Sequence, residues 1–169
     1  MDGSSVASRE IAVQFLVQVG SDDFVREPVP PALPIPVRTY RRVRGRIEIR
    51  SGDLPPAVAE DELVPLVSNL CFKAVPSVLS DRHAVVAFTD SYGYLRLDLE
   101  GDRIRLSGDG LPDIHVPAAA LLDGLVTCGA RFRTWLRGRD LEGDVIAIDR
   151  QLGTLEAAAR DALQATIWP

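Results

Sequence analysis

Hydrophobic and polar residues alternate most clearly on either side of a two-residue turn at Gly101-Asp102. Counting outward from this turn brings opposite charges together on one side of a hairpin and aliphatic side chains together on the other. A two-residue loop fixes the register of a hairpin, and a slip of one residue would turn the apolar side towards water. The predicted facing pairs are Glu100 with Arg103, Leu99 with Ile104, Asp98 with Arg105, and Leu97 with Leu106.

A second tight turn at residues 90–93 extends this hairpin to a three-stranded meander over residues 83–89, 94–100 and 103–107. With that turn, Phe88 would face Leu95 and Val86 would face Leu97, so that one apolar side continues across all three strands. Val85 and Ala87 point the other way and are also apolar, which predicts a first strand that is covered on both sides or lies centrally in the sheet. The inward set is Ala84, Val86, Phe88, Leu95, Leu97, Leu99, Ile104 and Leu106.

Two further strands are predicted near the N-terminus, over residues 11–19 and 42–50, because apolar and polar residues alternate there. The second of them places Val43, Gly45, Ile47 and Ile49 on one face and four arginines with Glu48 on the other. Between the strands, residues 27–37 contain five prolines, which deny backbone donors to a helix or a central strand. We expect an extended loop whose aliphatic residues pack on the core, in preference to a polyproline segment that binds a partner.

Three helices are predicted further along the chain, because apolar residues recur there at spacings of three and four residues. The first is predicted to start at the acidic pair Asp61-Glu62, where the helix dipole favours negative charge, and to bend or end at Pro76. The second spans residues 117–137, with Pro117 at the first helical position. The third carries a periodic seam from Leu141 to Leu163 across Gly143 and Gly153, and its alternative is a short strand at 145–148 followed by a helix after Thr154.

The predicted fold is therefore a single two-layer α+β domain over residues 1–169. An antiparallel sheet of about five strands would be covered on one face by two or three helices. Residues 10–50 would hold the N-terminal strands and the proline-rich connector, residues 61–139 a helix, the meander and a helix, and residues 140–169 a C-terminal helical segment. No internal repeat is visible in the sequence.

The overall composition is that of an ordinary globular protein, with 46% hydrophobic and 25% charged residues in 169. A net charge of -5 disfavours non-specific binding to nucleic acid. Lys73 is the only lysine among 19 basic residues, a bias that suggests a GC-rich bacterial genome. The start of the chain has no apolar signal segment, so we expect a cytoplasmic protein. Cys71 and Cys128 lie in apolar helical patterns and are predicted to be buried thiols.

Candidate chemistry is limited to three features. The first is a cluster of carboxylates at Asp98, Glu100 and Asp102, which a divalent cation would bind. The arginines facing them favour cross-strand ion pairs instead. His83 and His115 are the only histidines, and either could serve an enzyme with a neighbouring carboxylate or thiol. The glycines of 108–110 lack the lysine and the spacing of a phosphate loop. We therefore predict no catalytic residue, cofactor or metal site.

The sequence favours a non-catalytic protein-binding function. In composition and size the chain is similar to immunity proteins, which neutralise a toxin by one-to-one docking, and this resemblance implies a toxin as the partner. The alternatives are a small-molecule-binding or accessory domain of a biosynthetic pathway and a small enzyme that uses His83 or His115. A homodimer could form through the seam that begins at Leu141. The predicted partner-binding residues are Arg42, Arg44, Arg46, Asp90, Asp98, Glu100, Asp109 and Asp113.

Overall fold

The computed structural model describes residues 10–35, 39–90, 92–139 and 144–168, and it confirms an α+β fold. Within these residues, eight strands form two antiparallel sheets of four, where the sequence predicts about five strands in one sheet. The first sheet has the order β2-β1-β3-β4 and the second the order β5-β6-β7-β8. The strands are β1 (Ile11–Gln18), β2 (Phe24–Arg26), β3 (Arg44–Ser51), β4 (Ala57–Glu62), β5 (His83–Ala87), β6 (Tyr94–Glu100), β7 (Arg103–Gly108) and β8 (Ile114–Pro117). The helices are α1 (Leu63–Asp81), α2 (Ala118–Arg137) and α3 (Asp144–Ala165).

The hairpin β6-β7 has the predicted register at all four facing pairs, from Glu100 with Arg103 to Leu97 with Leu106. Gly101 has a φ of 64°, a backbone conformation that costs glycine little and that the first position of a tight hairpin turn requires. Leu97 and Leu106 are both buried, so the apolar side of the hairpin faces the core as predicted.

The hairpin β5-β6 has the predicted faces but a different register. Val86 pairs with Leu95, and not with Leu97, because the amide of Phe88 closes the turn by donating to the carbonyl oxygen of Gly93 at 3.0 Å. A shift by two residues keeps every side chain on its predicted face. The prediction that this first meander strand is covered on both sides or lies centrally in the sheet is wrong. Strand β5 is an edge strand, and the side chain of Val85 is 56% exposed.

The two long strands of the first sheet confirm the predicted alternation, with Val13, Phe15 and Val17 of β1 and Ile47 and Ile49 of β3 buried on the inner face. The short strand β2 was not predicted. After it, the proline-rich segment packs on the core as predicted, since Val29 is buried and Leu33 and Ile35 contact the core; Val37 lies outside the described residues.

Strand β4 corrects the prediction that a helix starts at Asp61-Glu62. These residues end β4, where Asp61 pairs with Gly45 and Glu62 with Arg44. Asp61 is buried and accepts hydrogen bonds from the backbone amide of Thr89 at 2.5 Å and from its hydroxyl at 2.6 Å. A carboxylate thus joins the two sheets, where the sequence pattern indicated a solvated helix terminus.

Helix α1 begins at Leu63 and ends at Asp81. Its middle part, Val67–Lys73, is π-helical, and the helix then continues through Pro76. Of the two outcomes predicted at Pro76, a bend or an end of the helix, the structure excludes the end. The helix is long and apolar enough to cross a membrane, but 61% of its most apolar window is buried inside the protein, which is typical of the core helix of a soluble protein.

Helices α2 and α3 have the predicted buried faces, but Pro117 ends the unpredicted strand β8 and precedes the first turn of α2. Helix α3 runs from Asp144 through Gly153 to Ala165 as one helix, which excludes the alternative strand at 145–148. Its apolar seam packs on α1 and α2 and is not available for a dimer. Leu141 and Gly143 lie outside the described residues.

The two halves of the chain share a plan that the sequence does not show. In each half an antiparallel hairpin, β3-β4 or β7-β8, leads directly into a long helix. The first amide of each helix donates to the carbonyl oxygen just before the hairpin: Leu63 to Val43 at 2.7 Å and Ala118 to Asp102 at 2.9 Å. The C-terminal part of α1 then packs under the second sheet, while α2 packs under β1 of the first.

Candidate functional site

The second sheet presents to solvent a face that we call the outer face. The inner side chains of β5 to β8 pack with the apolar residues of α1 and α2, so the alternate side chains point away from the helices. In the part of the chain that the structure describes, no helix packs on this side of the sheet. The outer face consists of His83, Val85, Ala87, Tyr94, Arg96, Asp98, Glu100, Arg103, Arg105, Ser107 and His115.

The predicted site residues Asp98 and Glu100 both lie on the outer face, but their side-chain contacts differ from the predicted cross-strand ion pairs. Asp98 binds Arg96 of its own strand at 2.8 Å, and Glu100 lies 3.3 Å from His115. Arg105 faces Asp98 in register yet binds Asp113 at 2.9 Å. The register was predicted correctly, whereas the partner of each long arginine side chain depends on residues outside the hairpin.

Two of the three arginines of the outer face thus bind carboxylates, and the third, Arg103, donates to the carbonyl oxygen of His115 at 2.7 Å. The hydrogen bond from Arg105 to Asp113 raises the pKa of Arg105 above its ordinary value, so this guanidinium stays charged at every physiological pH. Asp109 is exposed in the turn that connects β7 and β8. The face therefore offers hydrogen-bonding groups of both signs, and not a field of one sign that would select an oppositely charged partner.

One corner of the outer face is apolar. Val85 lies on the edge strand, and Tyr94 lies diagonally across from it on β6, since Ala87 faces Tyr94 and Val85 faces Arg96. Tyr94 is 39% exposed, and Tyr92, in the hairpin that joins the two strands, is fully exposed. The sequence analysis missed this corner because it expected Val85 to be covered. The alternation of apolar and polar residues does indicate the corner, because it places Val85 on the polar side of an amphipathic strand.

Both histidines lie in one cross-strand row of the outer face, but at its two ends. His83 faces Asp98, Asp98 faces Arg105, and Arg105 faces His115. Three strand spacings of about 4.8 Å separate the histidines by roughly 14 Å, which is too far for them to act on one atom. Nδ1 of His83 lies 3.1 Å from the carbonyl oxygen of Asp81.

The cysteines lie among the helices on the other side of the second sheet from the histidines. Cys71 and Cys128 are free thiols and fully buried, as predicted. Burial is the main cause that raises the pKa of Cys71, and it keeps this thiol protonated. The residues that the structure describes do not bring a cysteine to a histidine, so they do not form the thiol-histidine pair that the sequence left open.

The described residues contain no group of three histidine, cysteine or acidic side chains that could hold a metal ion. Asp98 and Glu100 are occupied by Arg96 and His115. The glycines at 108 and 110 serve the turn before β8, where Gly110 has a φ of 71°. An added Cβ at Gly108 would lie 2.3 Å from the carbonyl oxygen of Tyr94, so this glycine allows a close approach of two strands.

The arginine-rich strand β3 was the other predicted binding face, and its arginines are engaged within the protein. Arg44 forms an ion pair with Asp90, a carboxylate that was assigned to the partner-binding set. Arg46 binds Glu60 at 2.7 Å and stacks on Phe24 at 3.8 Å from the ring centroid. Arg42 lies before the strand in the turn Tyr40–Arg42 and does not share its face.

Two grooves lie between strands and helices. One of about 500 Å³ runs between β5 and α1, and one of about 680 Å³ runs between β1 and α2. In the second groove, Glu27 and Arg131 bind each other at 2.7 Å. This hydrogen bond raises the pKa of Arg131, so Glu27 and Arg131 form a charged pair with each other.

Comparison with known proteins shows no family, no curated protein and no solved structure that matches this chain.

Proposed function

We propose that this chain is a non-catalytic protein-binding domain that docks a partner through the outer face of its second sheet. The observation that carries the proposal is the apolar corner of Val85 and Tyr94 beside Arg96, with the fully exposed Tyr92 in the adjoining hairpin turn. Tyrosine and arginine are enriched among the residues that contribute most to protein interfaces. Exposed aromatic and β-branched side chains that lie together at a polar rim are typical of such a contact.

The partner we propose is a bacterial toxin that the chain neutralises by one-to-one docking in the cytoplasm. The size, the composition and the acidic net charge support this setting. Because Arg96 and Arg105 of the outer face already bind Asp98 and Asp113, the partner is recognised by shape and by hydrogen bonds to these pairs. Bulk electrostatic attraction contributes little.

The proposal is tested by affinity capture from the source cells with the tagged chain, followed by identification of the captured protein and calorimetric titration. We expect one protein in a one-to-one ratio, captured by the wild type and lost with the double variant Tyr92→Ala, Tyr94→Ala. Arg150→Ala, on the exposed side of α3, is the matched control and should capture as the wild type does. Equal capture by the double variant, or no captured protein alongside a small molecule that raises the melting temperature, would refute the proposal.

A further inference from the structure

The edge of β5 is unprotected, unlike the other sheet edges in the described residues. Natural edges carry charges or proline, or are very short, which prevents pairing with another chain. Strand β2 has three residues and includes Arg26, β4 ends in three acidic residues at 60–62, and β8 ends in Pro117. Strand β5 reads His-Ala-Val-Val-Ala and contains no lysine, arginine, aspartate, glutamate or proline.

The backbone of β5 offers hydrogen bonds at this edge. Leu99 donates to the carbonyl oxygen of Arg82 at 2.7 Å, and Phe88 donates to Gly93 at 3.0 Å. Antiparallel strands alternate between hydrogen-bonded and non-hydrogen-bonded pairs, so the even-numbered residues of β5 bond to β6. The N–H and C=O groups of the residues between them therefore point to the free edge; these residues are His83, Val85 and Ala87.

A comparison with β1 shows what a closed edge looks like in this protein. Strand β2 covers only one end of β1, and side chains take the place of a strand beyond it. The carboxylate of Glu27 accepts from the amide of Phe15 at 3.1 Å, and Arg131 donates to the carbonyl oxygen of Val13 at 2.7 Å. No described side chain does this for Val85 or Ala87.

The groove beside β5 is lined by two side chains of opposite charge. All five residues of β5 line it, which places it along the edge of the strand and not on one face. Its other wall is α1, which runs antiparallel to β5 because the single left-handed residue Arg82 joins the two. Lys73 and Asp81 line this wall and form no ion pair with any described residue, and Ser77 lies midway between them.

We propose that two copies of this chain pair antiparallel through β5, about a two-fold axis at Val85. The pairs would be Val85 with the partner's Val85 and His83 with the partner's Ala87, each using outward-pointing backbone groups. Lys73 and Asp81 are separated by about 12 Å along the helix, which matches the roughly 13 Å from His83 to Ala87 along the strand. The axis therefore brings Lys73 beside the partner's Asp81, and Asp81 beside the partner's Lys73.

The two unpaired charges are thus self-complementary, as a two-fold interface requires. The pairing also covers the exposed Val85 and joins the two second sheets into one of eight strands. The dimer uses the backbone edge of β5 and covers Val85, one residue of the apolar corner, whereas Tyr94 and Arg96 of the outer face stay exposed for another partner. Its evidence, the backbone edge and the groove charges, is separate from the evidence for the proposed function.

The test is sedimentation velocity of the purified full chain over a concentration series. We expect a dimer for the wild type, and a monomer for Val85→Pro, which removes an N–H that the fold does not use. Lys73→Glu would place like charges together and raise the dissociation constant at least about tenfold, and adding Asp81→Lys would restore it. Arg150→Glu makes the same charge change outside the groove and should leave the dimer intact.

The rescue separates this pairing from a merely structural effect, since a variant that misfolds is not repaired by a second charge reversal. A wild-type chain that stays monomeric at every concentration would overturn the proposal and leave the edge to a strand of another protein. A dimer that persists in both Val85→Pro and Lys73→Glu would overturn it as well, because its interface would lie elsewhere.

Discussion

Asp61 and Thr89 join the two sheets of this protein through a buried carboxylate that accepts both the amide and the hydroxyl of the threonine. Asp61 also accepts from the amide of Glu62 at 2.8 Å. Beside this contact, Arg44 of the first sheet forms its ion pair with Asp90, the residue after Thr89. Polar contacts thus fix how the ends of the edge strands β4 and β5 meet.

Replacing Asp61 with alanine should destabilise the fold. The change removes the acceptor of three partly buried hydrogen bonds, two from Thr89 and one from Glu62, and we expect a loss of about 2–4 kcal/mol in the free energy of unfolding. Urea denaturation measures this loss as a lower midpoint at an unchanged slope. Asp53→Ala, in the exposed turn between β3 and β4, is the control and should change little. A loss below about 0.5 kcal/mol for Asp61→Ala would mean that this contact does not hold the sheets together.

Gly45 allows β1 and β3 to approach each other under α1. A Cβ added there would lie 2.0 Å from the carbonyl oxygen of Leu16 and 2.6 Å from the side chain of Leu63. Because backbone cannot move aside as a flexible side chain does, Gly45→Ala should cost about 2 kcal/mol or more. Gly138→Ala, where the nearest atom is 3.4 Å away, is the matched control. Equal melting temperatures for the two variants would contradict the close approach.

The two faces of the second sheet should respond differently to loss of an aliphatic side chain. Leu97 is fully buried on the inner face, and Leu97→Ala should destabilise by about 2–5 kcal/mol through lost contacts and a cavity. Val85→Ala removes an exposed side chain and should cost much less. Thermal unfolding at a concentration low enough to keep the chain monomeric compares them. A larger loss for Val85→Ala would reverse the assignment of the faces.

Stability should depend on pH through Glu156. Burial by itself raises the pKa of this carboxyl, but hydrogen bonds from Arg133 and Arg160 outweigh burial and leave the pKa below its ordinary value of 4.5. A lowered pKa in the folded state contributes stability above the unfolded value, and this contribution is lost as the pH falls through the folded value.

Glu156→Gln should therefore be less stable than the wild type at pH 7, and the difference should shrink as the pH falls below about 4.5. Chemical denaturation at a series of pH values measures both. Asp161→Asn, exposed on the same helix, controls for a general loss of negative charge. A difference between Glu156→Gln and the wild type that stays constant from pH 7 to the acid limit would contradict the role given to the two arginines.

Local chemistry made part of this fold predictable. The turn at Gly101-Asp102 fixes the register of β6-β7 by itself, and the seam of α3 outweighs the helix penalty of Gly153. The unpredicted strands lack such local signals. Strand β2 has three residues, β8 contains a proline, and β4 ends in three acidic residues, so each owes its conformation to the strand beside it.

The candidate site was less predictable than the fold for the same reason. Charge and alternation placed Asp98 and Glu100 on an exposed face, but the sequence did not reveal that Arg44 reaches Asp90 in the other sheet. Nor did it show that β5 is an edge strand, which is a property of the whole topology. Alternation places Val85 and Tyr94 on the polar side of their strands, but that this side of β5 is uncovered follows only once the edge is known.

The central claim is that the outer face of the second sheet, and not the arginine face of the first, binds the protein partner. The most direct measurement is calorimetric titration of the captured partner into the wild type, Tyr94→Ala and Arg46→Ala. We predict a dissociation constant raised at least about thirtyfold for Tyr94→Ala, the loss expected of a tyrosine that anchors an interface, and unchanged for Arg46→Ala. Undiminished binding by Tyr94→Ala together with weakened binding by Arg46→Ala would contradict the claim.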